Sequence, residues 1–310
     1  MNETGKPTRL LVTGAQGQTG TELTLKGRAA GFEIVAFGRD ELNIGDHRAV
    51  AQAIESNRPD AVINAAAYTA VDRAETEPEI AQTANTDGPG NIADVCADAG
   101  IPIFHISTDY VFDGRGTRPY LEDDAIAPQG IYGATKAAGE EAVRRATKQH
   151  IILRTSWVFS AHGRNFVKTM LKLTEERSEL GVVGDQKGCP TSAGDIASAL
   201  LDIAAQSLRR REVDCSPWGT YHFCNRGETS WFGFAQAIVE GAAARGGRNI
   251  PVRSISTADY PTPARRPAYS VLDNGKINHV FGIIPRPWKD ALGEVLDELA
   301  QPVLRPKGQK

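Results

Sequence analysis

Short apolar runs alternate with longer amphipathic stretches along the first half of the chain. The run "LLVTG", the helical pattern "TGTELTLKGRAA" and the run "EIVAFG" predict a strand, a helix and a second strand. The alternation continues through "DAVINAAA", "IPIFHIS" and "IILRTSW", with helices predicted over residues 77–99 and 132–150. Strands that alternate with helices pair in parallel, so this rhythm predicts an α/β fold with a Rossmann-like, doubly wound parallel sheet.

The alternation loosens after Phe159. The helical pattern "RNFVKTMLKLTEERS" precedes the short run "ELGVVGD", a helix near residues 194–205 and the strand "YHFCN". Prolines in "DYPTPARRPAYS" and "IIPRPW" predict ordered loops around a final helix. We therefore expect a sheet domain over residues 1–160, to which a segment at about 190–225 returns, and a smaller C-terminal α/β lobe over residues 161–310.

The charge balance indicates a small-molecule partner. The 310 residues include 35 basic and 38 acidic side chains, and the net charge of −3 gives no reason to expect nucleic acid or an anionic membrane. No segment approaches the ~18 apolar residues of a membrane span, and the apolar run near the N-terminus is too short for a signal peptide. The cysteines Cys96, Cys189, Cys215 and Cys224 lack metal-ligand spacing and disulfide-scaffold density. We therefore expect reduced thiols and a cytoplasmic location.

A glycine-rich turn joins the first predicted strand to its helix. In "TGAQGQTG", Gly14, Gly17 and Gly20 have the spacing G-x-x-G-x-x-G. These glycines permit, in order, a tight turn, close approach of a pyrophosphate to the backbone, and close packing of helix on strand. The helix N-terminus then offers free N–H groups to the phosphates. A flexible turn is the alternative, but the position at the start of a βαβ unit favours dinucleotide binding.

The end of the second strand bears on which dinucleotide is bound. An acidic residue usually binds the adenosine 2′-hydroxyl of NAD there, whereas "FGRDEL" has Gly38 and Arg39, with Asp40 one position late. Arginine can stack on adenine and pair with a 2′-phosphate. The sequence therefore favours NADPH over NADH, which is still possible. A solvated loop arginine is the alternative.

A tyrosine and a lysine lie four positions apart in "IYGATKAAGEEA", a stretch otherwise typical of a helix. Positions i and i+4 share a helix face, so Tyr132 and Lys136 can point into one cleft. A free tyrosine has a pKa near ~10, and a neighbouring ammonium can lower it by up to about three units. We therefore predict acid–base catalysis by this pair, with Ser107 and Thr108 of "HISTDYVFDG" offering a hydroxyl from the preceding strand end.

Seven segments, in this order, resemble the dTDP-4-dehydrorhamnose reductase family of the extended short-chain dehydrogenase/reductase superfamily. They are "NAAAYTAVDRAE", "STDYVFDG", "YGATKAAGE", "LRTSWVF", "NFVKTML", "DQKGCPT" and "YPTPARRP". The resemblance runs from about Leu10 to Leu299. It implies an NAD(P)H-dependent oxidoreductase of dTDP-rhamnose biosynthesis, which reduces the C4 keto group of dTDP-4-dehydro-L-rhamnose to dTDP-L-rhamnose. The later lobe would then mainly bind this nucleotide-sugar.

The resemblance also implies roles for particular residues. The catalytic group would be Tyr132 as proton donor, Thr108, Lys136 on the nicotinamide ribose, and Asp109 beside them. The cofactor would be bound by Gly14, Gln16, Gly17, Gln18 and Thr19 at the pyrophosphate, by Arg39, Asn43 and Ile44 at the adenosine, and by Ala65, Ala66, Ala67, Tyr132 and Lys136 at the nicotinamide end. The substrate would be bound by Val71, Thr108, Asp109, Trp157, Asn165, Arg265 and Arg266. The alternatives are a buried core aromatic for Trp157 and solvated side chains for the two arginines.

The chain departs from the family pattern at two places. Asn43 in "LNIGD" replaces an aspartate that family members often have near adenine. Some members dimerise through magnesium held by glutamates; Glu22 and Glu298 match two of these positions, but the third is Gly194, with Asp195 adjacent. We therefore expect no structural metal, and either a monomer or a homodimer.

Two other functions stay open. A nucleotide-sugar epimerase or dehydratase would share the fold and Y-x-x-x-K, but 4,6-dehydratases usually have Asp-Glu after the catalytic threonine. Thr108 is instead followed by Asp109 and Tyr110. The other alternative is a non-catalytic, dinucleotide-binding regulatory subunit. The intact set of Thr108, Tyr132 and Lys136 favours turnover.

Overall fold

A six-stranded parallel sheet lies at the centre of the computed structural model, which describes residues 7–209 and 217–300. Its strands are β1 (Arg9–Thr13), β2 (Glu33–Phe37), β3 (Ala61–Asn64), β4 (Ile103–Thr108), β5 (His150–Thr155) and β10 (Gly219–His222), in the spatial order β10-β5-β4-β3-β1-β2. Strands β2 and β3 lie on opposite sides of β1, so the chain reverses its direction of travel there. Ligands of such sheets bind at this switch point, beyond the carboxyl ends of the strands.

Helices cover both faces of the sheet, because β1, β3 and β4 bury apolar side chains on both sides. These helices are α1 (Gln18–Ala29), α2 (His47–Asn57), α3 (Val71–Ala74), α4 (Pro78–Gln82), α5 (Gly88–Ala99), α6 (Ile131–Ala146) and α8 (Ala193–Arg209). Helix α1 packs against α8 on one face, and α5 packs against α2 and α6 on the other. A π-helical segment, Thr83–Asp87, joins α4 to α5, and a 3-10 turn, Asp109–Val111, follows β4.

A second apolar core lies in the C-terminal part of the chain, around Phe159, Val167, Phe234, Ile238 and Leu292. Its helices are α7 (Phe166–Glu176), α9 (Trp231–Ala243) and α11 (Trp288–Ala300); α10 (Gly275–Phe281) packs near β10. The short strands are β6 (Val158–Phe159), β7 (Leu180–Val183), β8 (Lys187–Gly188), β9 (Thr191–Ser192), β11 (Thr229–Ser230) and β12 (Val252–Ile255). The Rossmann-like α/β fold predicted from the sequence is confirmed, and the strand "YHFCN" begins inside β10, which pairs with β5.

Some element boundaries differ from the prediction. The helix predicted to end at His150 ends at Ala146, because His150 already pairs with Ile103 as the first residue of β5. The helix predicted over residues 77–99 is divided into α4, the π-helical segment and α5. Cys96, Cys189 and Cys224 are buried, free thiols, whereas Cys215 lies outside the described residues. Within residues 7–209 and 217–300, no helix has the length and apolar character needed to cross a membrane.

Candidate active site

Two adjoining cavities open beyond the carboxyl ends of the parallel strands. The first, about 600 Å³, is lined by nine of the predicted cofactor-binding residues: Gly14, Gln16, Gly17, Arg39, Asn43, Ile44, Ala65, Ala66 and Ala67. The second, about 530 Å³, is lined by Gln18, Thr19, Val71, Thr108, Asp109, Tyr132, Lys136, Trp157 and Asn165. Gly17, Ala65 and Ala67 line both cavities, so the two form one crevice. Of the predicted site residues, Arg265 and Arg266 are absent from these linings.

The turn between β1 and α1 is built for close approach. Gly14 has φ +67°, and a Cβ there would lie 2.6 Å from the backbone nitrogen of Ala66, so only glycine allows this turn to lie against the residues after β3. Gly17 is the N-cap of α1 and has no side chain to satisfy the first N–H groups of the helix. These N–H groups and the positive end of the helix dipole therefore suit a pyrophosphate.

The adenosine end lacks the acidic residue that would favour NAD. A Cβ at Gly38 would lie 2.6 Å from Cδ of Gln16, so the Gln16 side chain occupies the space that an acidic side chain at position 38 would need. The Gly38 N–H is already bound, since it donates to Oε2 of Glu41 at 2.7 Å. Arg39 is exposed at the rim and offers a cation instead. This arrangement fits a 2′-phosphate better than a free 2′-hydroxyl.

The adenosine end also contains residues that the sequence reasoning missed. Tyr68, Ile80 and Thr83 line the first cavity together with Arg39, and Thr83 begins the π-helical segment. The Tyr68 hydroxyl donates to the Glu77 carboxylate in a short hydrogen bond. The segment "NAAAYTAVDRAE" contains Tyr68, so a sequence signal existed, but nothing in it shows that the following helix turns back to this cavity.

Helix α6 begins directly beside the turn after β4. Its first N–H, of Ile131, donates to Oε1 of Glu75 at 2.9 Å. A Cβ at Gly133 would lie only 2.2 Å from the carbonyl oxygen of Tyr110, so this glycine lets α6 approach the turn. The rings of Tyr132 and Tyr110 then meet edge to face with centroids 5.4 Å apart. The close approach places Tyr132 in the same cavity as Thr108.

Burial governs the titration of the two predicted catalytic groups on α6. It raises the pKa of Tyr132 to about 12, although a hydrogen bond with Thr108 acts in the opposite direction. It also lowers the pKa of Lys136 to about 8, against the attraction of Glu140. The prediction that Lys136 lowers the pKa of Tyr132 is therefore wrong for this structure. A high pKa keeps the proton on Tyr132, which is the form that a proton donor needs.

Thr108 and Asp109 form a hydrogen-bonded pair at the end of β4. Oγ1 of Thr108 donates to Oδ1 of Asp109 at 2.9 Å and accepts from the N–H of Tyr110 at 3.2 Å. Burial raises the pKa of Asp109 to about 6, despite hydrogen bonds from Ser270 and Thr108 that lower it. The pair places a hydroxyl beside the phenol of Tyr132, and the binding of one substrate oxygen by both groups stays a prediction.

Ser107, the other hydroxyl considered at this strand end, points elsewhere. Its Oγ donates to Oε1 of Glu140 at 2.6 Å, and Arg154 binds both carboxylate oxygens of Glu140 at 2.7 and 2.8 Å. Arg144 adds a further contact of 2.7 Å to Oε2. Ser107 lines the second cavity, but its hydroxyl is engaged in this buried ion-pair network, and Thr108 is the hydroxyl that hydrogen-bonds with the phenol.

Trp157 is half-buried and lines the second cavity in an uncommon backbone conformation. It has φ +47°, in the left-handed region, and its ring stacks on Trp231 at 3.6 Å with an interplanar angle of 8°. A Cβ at Gly188 would lie 2.5 Å from the indole, so the ring fits between Trp231 and a residue without a side chain. Trp157 thus packs on Trp231 and also lines the second cavity, so its contact with a sugar face stays a prediction.

Asn165 and Gln18, which both line the second cavity, are joined by a hydrogen bond. Nδ2 of Asn165 donates to Oε1 of Gln18 at 2.9 Å, and Ser160 donates to the same oxygen at 2.9 Å. Oδ1 of Asn165 also caps α7 by accepting from the N–H of Lys168. These two side chains, predicted to touch substrate and cofactor, therefore also bind each other.

The two predicted arginines lie apart from the cavity linings and differ from each other. Arg266 is half-buried and pairs with Oδ2 of Asp72 at 2.8 Å, next to Val71. Asp72 also accepts from the N–H of Ala264 at 3.3 Å, which fastens the loop to α3. Arg265 is exposed. Only Arg266 is therefore held at the substrate side of the crevice.

The two glutamates considered for magnesium face a histidine. Nε2 of His162 lies 3.3 Å from Oε1 of Glu22 and 3.9 Å from Oε1 of Glu298. A Cβ at Gly194 would lie 3.3 Å from Oε2 of Glu22 and 3.2 Å from Cε of Lys26. Among the described residues, no group of three or more His, Cys, Asp or Glu side chains is arranged to hold a metal ion.

Known proteins share both the sequence and this architecture. The family model described as the RmlD substrate binding domain matches residues 8–301. A dTDP-4-dehydrorhamnose reductase of Sinorhizobium fredii is 44% identical over 283 residues, which cover 91% of this chain and 95% of that protein. The crystal structure of a dTDP-4-dehydrorhamnose reductase from Clostridium acetobutylicum has a TM-score of 0.88 at 37% identity and covers 95% of this chain and 100% of its own. A structure of the Bacillus anthracis reductase in complex with NADP has a TM-score of 0.86 at 35% identity, with 94% and 99% covered.

Proposed function

This chain belongs to the dTDP-4-dehydrorhamnose reductase family, and on this premise we propose that it reduces the C4 keto group of dTDP-4-dehydro-L-rhamnose to give dTDP-L-rhamnose. It is an oxidoreductase that uses NAD(P)H, and NADPH is the preferred cofactor. The observation that carries the proposal is the meeting of Thr108, Tyr132 and Lys136 in a cavity that continues into the dinucleotide crevice.

The residues of the first cavity fit NADPH. Bound NADPH supplies the hydride. The backbone around Gly14 and Gly17 and the start of α1 hold the pyrophosphate, because they offer N–H groups without side chains in the way. Arg39 binds the 2′-phosphate, since it lines this cavity while Gly38 offers no acidic side chain to a 2′-hydroxyl. Ala65, Ala66 and Ala67 give a small, flat wall for the nicotinamide end.

Tyr132 holds the proton that the developing alkoxide needs. Its raised pKa keeps the phenol protonated at neutral pH, and Thr108 lies beside it to bind the same oxygen. Lys136 lines the same cavity, and we assign to its Nζ the binding of the ribose hydroxyls and the stabilisation of the phenolate once the proton has left Tyr132. The protein thus contributes orientation and charge to a reaction whose hydride comes from the cofactor.

The second cavity holds the nucleotide-sugar. Trp157 packs against the sugar ring, and Val71, Asp109 and Asn165 surround it. Arg266 turns from Asp72 toward the diphosphate, since a guanidinium binds phosphate oxygens in a bidentate manner. The sheet domain, with the segment near 190–225 that includes β10, holds the cofactor, and the later lobe closes the sugar side. We place the enzyme in the cytoplasm, where buried free thiols such as Cys189 stay reduced.

The test is a reduction assay with the keto-sugar. Purified protein is mixed with NADPH and dTDP-4-dehydro-L-rhamnose, and absorbance of the reduced nicotinamide is followed, with NADH and other keto-sugar nucleotides in parallel. Tyr132→Phe should lower kcat by at least the ~10²-fold typical of a lost acid, while NADPH affinity stays nearly the same. Tyr120→Phe, which removes a phenol that binds Asp113 instead, is the matched control.

Two outcomes would contradict this function. Intact NADPH binding without oxidation of NADPH in the presence of the keto-sugar would favour a regulatory subunit. Turnover of a sugar nucleotide without net consumption of NADPH would favour an epimerase or dehydratase. A Tyr132→Phe variant with unchanged kcat would show that the proton comes from another group.

A further inference from the structure

Four buried polar side chains form a continuous row beneath the active site. Oγ1 of Thr13, at the end of β1, donates to Oδ1 of Asn64 at 2.6 Å. Nδ2 of Asn64 lies 3.0 Å from Nδ1 of His105, and Nε2 of His105 lies 3.3 Å from Nζ of Lys136. Each of the four residues is at most 2% exposed. The row therefore joins β1, β3 and β4 through buried side chains to the predicted catalytic lysine, which lines the second cavity.

The orientation of Asn64 is fixed by a backbone group. Oδ1 of Asn64 accepts from the N–H of Ala66 at 3.1 Å, and a backbone N–H can only donate. The amide oxygen must therefore face Ala66 and Thr13, which leaves the amide nitrogen to face His105. Because that nitrogen donates, Nδ1 of His105 accepts, and the proton of a neutral His105 ring must be on Nε2.

His105 is neutral. Burial lowers its pKa well below the ordinary value, and the positive charges of Lys136 and Arg144 act in the same direction. Its Nε2–H therefore faces Nζ of Lys136. An ammonium has three donors and no acceptor, whereas a neutral amine has a lone pair. The Nε2–H of His105 can therefore donate to a neutral Lys136 amine. If Lys136 is an ammonium, two hydrogen-bond donors face each other, which is unfavourable.

Other groups around Lys136 leave its charge finely balanced. The carbonyl oxygen of Ile106 accepts from Nζ at 2.7 Å in either form. Glu140 favours the ammonium, but its carboxylate is already bound by Arg154, Arg144 and Ser107. The titratable groups that surround the pair are Tyr132, Glu140 and Arg144 on α6, Arg154 on β5, and Asp109 after β4. The free energy of one hydrogen bond to Nζ is therefore enough to shift the equilibrium between the ammonium and amine forms of Lys136.

We propose that His105 is a positioning residue of the reduction, which acts through Lys136 by presenting an N–H to Nζ and so disfavouring the ammonium. The role rests on the proposed reductase activity, because only there does the charge of Lys136 matter for turnover. His105 contacts neither cavity, so it touches no ligand itself. It sets how readily the lysine gains and loses a proton during catalysis.

Two substitutions separate this role from a structural one. His105→Gln puts an amide at the place of Nε2, and its oxygen can turn to Nζ and accept from the ammonium. His105→Asn puts an amide at the place of Nδ1, which keeps the contact with Asn64 and leaves Nζ without that neighbour. Both variants lose the imidazole and both disturb the core. Only His105→Gln replaces the donor facing Lys136 with an acceptor.

The first measurement is kcat/KM for the keto-sugar, with saturating NADPH, against pH. The ammonium is the active form, so activity of the parent protein should fall as pH rises through the lysine pKa of about 8. In His105→Gln this decline should move upward by roughly one pH unit, because a hydrogen bond to a charged group stabilises that form. In His105→Asn the upward shift should be smaller. Equal midpoints in all three proteins would reduce His105 to a core residue.

The second measurement needs no turnover and is made on the parent protein, with the His105→Gln variant used only to assign one signal. Long-range ¹H–¹⁵N correlation spectra of ¹⁵N-histidine protein distinguish the tautomers of the six histidines, and His105→Gln identifies the signal that disappears. His105 should be neutral with its proton on Nε2 at pH 6 and pH 7. A proton on Nδ1, or an imidazolium, would overturn the proposal. Absence of keto-sugar reduction would instead refute the reductase activity and leave this spectrum interpretable.

Discussion

The two halves of the crevice are built by opposite means. In the cofactor half, the turn before α1 is made of backbone and small residues, and Gly14 and Gly20 hold its shape because a Cβ at either would collide with backbone. The catalytic half depends on buried polar side chains, among them Lys136 and Glu140, whose hydrogen bonds come from several strands. Added atoms should therefore damage the first half, and removed partners should damage the second.

The largest effect is expected from removing a partner in the catalytic half. Glu140 is fully buried and neutralises Arg154, which is 1% exposed. Glu140→Ala leaves that guanidinium buried without its carboxylate, so the free energy of unfolding should fall by about 3–5 kcal/mol in urea titrations. Glu141→Ala, at the neighbouring exposed position where the glutamate lies 3.9 Å from Arg144, should change it by less than ~1 kcal/mol.

Similar losses of unfolding free energy in Glu140→Ala and Glu141→Ala would contradict the comparison, because the burial of the glutamate would then make no difference. If Glu140→Ala also lowers kcat at a temperature where the variant is folded, the ion-pair network around Glu140 also holds Lys136 in place.

A smaller effect is expected from adding one methyl group to the cofactor half. A Cβ at Gly20 would lie 2.1 Å from the carbonyl oxygen of Gly14, whereas a Cβ at Gly17 would lie 3.2 Å from the same oxygen. Gly20→Ala must therefore push α1 away from the turn, at a cost of about 1–3 kcal/mol in unfolding free energy. Gly17→Ala should cost less stability. Thermal unfolding of both variants, with and without NADPH, measures this difference.

Equal stability losses in the two alanine variants would mean that the turn relaxes freely, and the cofactor half would then not depend on close backbone contact. A loss of NADPH affinity in Gly17→Ala at nearly normal stability would instead sharpen the assignment of that position to the pyrophosphate.

The sequence predicted the cofactor half better than the catalytic half, for a physical reason. Gly14, Gly17 and the strands that flank them act over a few consecutive residues, so their spacing alone carries the information. The environment of Lys136 on α6 is made by His105 and Ile106 on β4, and the bond that engages the Ser107 hydroxyl joins residues 107 and 140. The raised pKa of Tyr132 likewise follows from burial, which the helical spacing of Tyr132 and Lys136 does not show.

The C-terminal part shows the same limit. The proline-rich segment predicted a loop, but the pairing of Arg266 with Asp72 joins positions far apart in the chain. The exposed Arg265 has the same side chain and the same local sequence. The spacing in the sequence does not distinguish the two arginines, because the position of α3 determines which one pairs with Asp72.

The smallest expected effect concerns Arg39, the one charged side chain predicted to discriminate between cofactors in the first cavity. Because it is exposed at the rim, its interaction with a 2′-phosphate is partly screened by solvent. Arg39→Ala should therefore weaken NADPH binding by only ~10-fold, or about 1.4 kcal/mol, and leave NADH binding nearly unchanged, as measured by fluorescence titration of both dinucleotides. Arg39→Lys should retain part of the preference, since an ammonium keeps the charge but loses the bidentate geometry. Equal weakening of both cofactors would show that Arg39 acts by stacking on adenine, which the two share, and the preference for NADPH would then have to come from the backbone near Gly38 and the side chain of Gln16.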